Sequence, residues 1–111
     1  MDEELIATLK TEEALYRAYM PFVNKGGIFI PTENNISLGD KVKVSLLLPN
    51  EKEPIVFIGK VIWITPKSAN ESHRTPGIGV ELRGVEGMRA RKKIELLLKN
   101  RLGSHQPTET L

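Results

Sequence analysis

The chain has 111 residues and a mass of 12.4 kDa, which fits one small domain and leaves no room for a second. It contains no cysteine, so disulfides, iron–sulfur clusters, thiolate zinc sites and a cysteine nucleophile are excluded. The net charge is +2, but six of the 16 cations stand between residues 86 and 102 against only two of the 14 acids. The remainder is slightly acidic, which is not the footprint of a general nucleic-acid binder.

The opening Met1-Asp2-Glu3-Glu4 is acidic, where a secretory signal would be basic and then apolar, so no such signal is expected. The apolar runs fall far short of the ~20 residues that span a bilayer. A cytoplasmic protein without direct membrane insertion is the expectation.

Residues 5–9 read as a short strand. Thr11 followed by Glu12 and Glu13 reads as a helix start with acids in its first turn. Leu15 and Tyr19 would share a face of that helix, and Pro21 must end it by Met20. A first clear strand covers residues 28–30, opened by Gly26-Gly27 and closed by Pro31. The second alternates, with Val42, Val44, Leu46 and Leu48 on one face and Lys41, Lys43 and Ser45 on the other. Residues 49–52 form a hairpin loop, and a third strand spans 55–65. Residues 66–75 are polar and read as a mobile loop. The fourth strand, residues 77–83, points Ile78, Val80 and Leu82 inward. Short strands separated by turns indicate a small barrel. A helix over 86–102 carries the stripe Ala90, Ile94, Leu97 and Leu98, with Leu96 nearly opposite and Gly103 placed to end it. Residues 104–111 read as a polar, disordered tail. The domain organisation is thus one unit over 1–103, made of an N-terminal segment (1–25), barrel strands (26–83) and the helix.

No catalytic or metal constellation emerges. His73 and His105 fall in the polar loop and the tail, and no third ligand has metal-like spacing to either. There is no nucleophile elbow and no phosphate loop. Gly77-Ile78-Gly79 lacks the following helix of a dinucleotide site and reads as close approach of neighbouring strands. The expectation is a protein that is not an enzyme and carries no cofactor.

Three stretches together resemble a PilZ domain: residues 22–30, FVNKGGIFI; residues 38–44, LGDKVKV, through GKVIW at 59–63; and GIGVEL at 77–82. The resemblance implies a six-stranded antiparallel β-barrel with a C-terminal α-helix. Residues 16–23, YRAYMPFV, leading into GGIFIPT at 26–32, further resemble the subgroup of type IV pilus biogenesis. That likeness implies a non-enzymatic, cytoplasmic adaptor for pilus assembly and twitching motility. Its partners would be the pilus extension ATPase of the PilB type and an EAL-domain cyclic di-GMP receptor of the FimX type.

Ligand-binding members of that family hold cyclic di-GMP with Arg-x-x-x-Arg and a downstream Asp/Asn-x-Ser-x-x-Gly. Aligning the second motif on Gly27 puts Asn24 at the serine and Phe22 at the acid, and no two arginines here stand four apart. The planar cations that neutralise phosphate and stack on guanine are therefore missing. The expectation is no direct binding of the dinucleotide. The alternatives are a direct cyclic di-GMP sensor with an unconventional site and, third, nucleic-acid binding through the basic helix face. The last lacks the stacking aromatics such a surface uses.

The third strand reads as apolar on both faces, with Phe57, Gly59, Val61 and Trp63 on one and Val56, Ile58, Ile62 and Ile64 on the other. A barrel exterior in water should alternate with polar residues, so a cover is required, either the C-terminal helix or a partner. Tyr16, Tyr19, Phe22 and Trp63 are the candidate partner-binding residues, because large aromatics anchor interfaces. The competing reading folds the N-terminal segment over the barrel end and buries Tyr16, Tyr19, Met20 and Phe22.

Overall fold

The computed structural model describes residues 3–65 and 75–103. Nine elements follow in order: β1 (Glu3–Thr8), α1 (Glu12–Ala18), β2 (Tyr19–Met20), β3 (Gly27–Pro31), β4 (Lys41–Leu47), β5 (Ile55–Thr65), β6 (Gly77–Glu81), α2 (Gly84–Leu97) and α3 (Lys99–Gly103). The strands form one curled six-stranded sheet in the order β1-β4-β5-β6-β3-β2.

Six strands are present, but the antiparallel barrel expected from the resemblance needs correction. β1 runs parallel to β4, with Leu5 opposite Val44 and Ala7 opposite Leu46, so the sheet is mixed. The two edge strands, β1 and β2, do not pair, and the sheet is a half-barrel. Both edges come from the N-terminal segment, which is part of the sheet. Parallel pairing needs a long connection, and the stretch containing α1, β2 and β3 supplies it.

Local chemistry accounts for most element ends. Thr11 caps α1, its Oγ1 accepting from the backbone N–H of Ala14 at 3.0 Å. Leu15 and Ala18 are buried, and the chain turns extended at Tyr19, ahead of Pro21. β4 alternates as its sequence dictates, with Val42, Val44 and Leu46 buried. Ile55, Phe57 and Val61 of β5 face the same core, which Ala90, Ile94 and Leu98 close from the helical side.

Several boundaries differ from expectation: β6 ends at Glu81 and α2 starts at Gly84. The helix expected over 86–102 is two helices: Leu98, with φ −99° and ψ 11°, ends α2, and α3 begins at Lys99. Gly103 is accordingly the last residue of α3. The break follows from packing, because Leu98 is wholly buried while α3 brings Arg101 to α1. Leu97 is only half-buried, whereas Leu96 is exposed as expected. The expected polar loop falls largely, and the tail wholly, outside the described residues, as do His73 and His105.

Candidate functional site

The β5–β6 pairing carries the main surprise. Val61 pairs with Val80 and Trp63 with Gly79, so one residue of β5 bulges between them. A bulge reverses the side-chain alternation beyond it. Trp63 therefore leaves the face of Phe57 and Val61 and projects outward, 45% exposed, while Ile64 packs against the core. The sequence reading, which kept Trp63 with Phe57, is corrected by this one extra residue.

On that outer face Trp63 is not isolated. Gly79 lies between Trp63 on β5 and Phe29 on β3. A Cβ on Gly79 would stand 2.9 Å from both the Met20 Sδ and the Trp63 Cβ. A Cβ on Gly77 would stand 2.6 Å from the Phe29 Cζ. Met20, Phe29 and Trp63 thus cover the bare backbone of β6, forming a small outer cluster apart from the main core. The close approach read from Gly77-Ile78-Gly79 is present, but Phe29 and Met20 are not identified by the sequence as its partners. The signal was present in Gly77-Ile78-Gly79, which leaves one face of β6 without side chains. The indole Nε1 donates to the Thr65 Oγ1 at 2.9 Å, and Trp63 remains partly open to solvent.

The other aromatic candidates separate. Tyr19 is buried, 5% exposed, and its hydroxyl donates to the Glu95 carboxylate at 2.6 Å. Burial, reinforced by the Glu95 charge, pushes the Tyr19 phenol up to about 12. The Tyr19 hydrogen bond, aided by Arg91, holds Glu95 below its ordinary value against a smaller opposing effect of burial. Tyr16 is half-buried under the Arg101 guanidinium, 4.1 Å above its ring, and Arg101 also pairs with Glu13 at 2.7 Å. Phe22 stands in the turn after β2, 76% exposed. The structure thus leaves Phe22 exposed and Trp63 partly so, and packs Tyr16 and Tyr19 into the scaffold.

The motif positions of a dinucleotide site can be followed in the same way. Arg17 is exposed on α1 and ion-paired with Glu13 at 3.0 Å. Phe22 and Asn24 are both exposed on the connection before Gly27. No group of three or more potential metal ligands occurs among the described residues. No helix among them is long and apolar enough to cross a membrane.

Comparison with known proteins agrees with this architecture. The PilZ domain model matches residues 1–100, and the chain belongs to the PilZ domain family. This is a family of non-catalytic binding and adaptor domains of the cyclic di-GMP-binding type. No curated protein matches the sequence.

Proposed function

We propose that this chain is a non-enzymatic adaptor for type IV pilus assembly and twitching motility. It works by contacting the pilus extension ATPase of the PilB type and an EAL-domain cyclic di-GMP receptor of the FimX type. The second messenger reaches the pilus machinery through the receptor, and this protein does not bind it. It acts in the cytoplasm.

One observation carries the reading. Where the ligand motif would place an acid or amide, this chain presents Phe22, 76% exposed, with Arg17 as its nearby arginine, tied to Glu13. An apolar ring in water favours a protein contact over a phosphate. Trp63 offers a second aromatic surface, beside Gly79 and held by Thr65. Tyr16 and Tyr19 support these anchors by fixing the segment that precedes Phe22.

The experiment is co-purification of Phe22→Ala and Trp63→Ala with the extension ATPase and with the EAL receptor, alongside thermal melts. Folded variants that lose one or both partners support the adaptor surface. Folded variants that bind both partners normally remove these residues from it.

A further inference from the structure

The helical layer leaves a second apolar surface open. α2, with Leu98 at its end, covers the inner face of β5, so the outward Val56 and Ile58 stay 43% and 44% exposed. The start of α2 brings Val85, 81% exposed, to the same place. Val56, Ile58 and Val85 line one groove with Lys43, Arg83 and Glu86. Val85 continues into a neighbouring depression with Met88, Arg89, Lys92 and Lys93. The apolar floor therefore runs unbroken from the sheet onto the helix. Lys60, paired in register with Glu81, separates it from Trp63 along the same outer face of β5.

Cations predominate in the lining. Lys41 borders Ile58, and with Lys43, Arg83, Arg89, Lys92 and Lys93 it makes six cations against the single lining acid Glu86. Four of these cations are engaged with Glu4, Glu81, Glu86 and Glu51. Lys41 and Lys92 have no ion pair among the described residues. Apart from Arg83, whose partner Glu81 is largely buried, these pairs are solvent-accessible and exchange partners at little cost. An occupant that suits this surface has apolar side chains for the floor and carboxylates for the rim.

We infer that the Val56–Ile58–Val85–Met88 groove is a docking site for an acidic, amphipathic segment of a partner protein. Such a segment carries at least two apolar side chains flanked by Asp or Glu. The site deepens the adaptor reading and rests on it, since an adaptor needs a contact surface besides Phe22 and Trp63. A protein segment fits better than an anionic membrane. The Val56–Ile58–Val85 part is a recess between strand and helix, its one aromatic, Phe57, is buried in the core, and Glu86 stands within it.

The test selects displayed random peptides on the immobilised full chain. The enriched sequences are then synthesised with a fluorophore and titrated. Vesicles of phosphatidylcholine and phosphatidylserine are titrated in parallel. Enriched peptides should combine paired apolar residues with flanking acids and bind more weakly as salt rises. Ile58→Glu and Val85→Glu should each weaken them by at least about tenfold, and Trp63→Ala by less than about twofold. Melts report folding, and the high exposure of Val85 keeps that variant informative if Ile58→Glu unfolds. No enriched peptide, enriched peptides without acids, or binding that both variants retain would overturn the site. Vesicle binding that Val85→Glu abolishes would replace it with a membrane surface. Each of these results is independent of whether Phe22 and Trp63 hold the ATPase and the receptor.

Discussion

The Tyr19 hydroxyl donates to the Glu95 carboxylate at 2.6 Å, joining β2 to α2 across 76 residues of sequence. Arg91 holds the same carboxylate oxygen at 3.2 Å from one turn earlier in the helix. β2 is only two residues long and lies at the edge of the sheet, so its ladder supplies few hydrogen bonds. The Tyr19–Glu95 bond is what fixes the entry into the turn that displays Phe22.

Tyr19→Phe should cost about 1.5–3 kcal/mol, the range for a hydrogen bond to a charged group. The pH dependence is a sharper test. Tyr19 ionises near 10 when unfolded and at about 12 when folded. Its contribution is complete below pH 10 and is lost as pH rises from 10 towards 12. Urea unfolding of the wild type and Tyr19→Phe at pH 8, 10 and 11 should show the gap between them narrowing with pH. A constant gap would mean that the phenol is not held neutral by its surroundings.

Gly59 and Gly79 should respond differently to alanine. A Cβ on Gly59 would sit 2.2 Å from the Val80 Cγ1 and 2.7 Å from the Glu81 carbonyl oxygen. Backbone cannot yield cheaply, so Gly59→Ala should destabilise the fold by about 1–3 kcal/mol or more. At Gly79 the flexible Met20 end can move, while the Trp63 Cβ must shift with its strand. Gly79→Ala should therefore cost less and change the emission of the single tryptophan. Equal melting temperatures for the two variants would contradict this ordering.

These contacts bear on how much the sequence disclosed. β4 was legible because one face is core and the other is water, and α1 because Thr11 supplies its own cap. β1 could be read as a strand, but not as a parallel partner of β4, since nothing local records a pairing some 40 residues away. β2 exists through its pairing with β3 and has no period of its own. Phe22 was recognisable as an anomaly against the ligand motif. The exposure of Trp63 was reasoned correctly for the wrong face, because a bulge leaves no mark in an all-apolar run. Val85 and Met88 gave no warning, because the helical stripe named only what is buried.

The helix break makes a graded prediction. Ile94 and Leu98 are fully buried, so Ile94→Ala and Leu98→Ala should each cost about 2–5 kcal/mol. Leu97→Ala should cost less, since Leu97 is half-buried at the end of α2. Leu96→Ala should stay within about 0.5 kcal/mol of the wild type. Denaturant melts of the four variants check the order, and a Leu97 cost above that of Leu98 would restore a continuous helix.

The last prediction separates the adaptor from a direct sensor. Cyclic di-GMP offers two phosphates and two guanine faces, which call for paired, planar cations. Here Arg17 is engaged with Glu13, and no second arginine stands four residues from it. Phe22, aligned with the motif's acid or amide, has no hydrogen-bonding atom in its side chain. Each missing charge-assisted bond forfeits about 1.5–3 kcal/mol, so two already weaken binding by about a hundredfold or more. Calorimetry with tens of micromolar protein should give no saturable heat on adding cyclic di-GMP. The same titration with the EAL receptor present should give the heat of the receptor site, with this protein retained in the complex. A saturable heat from the isolated chain, lost in Arg17→Ala, would instead make it a direct sensor with an unconventional site.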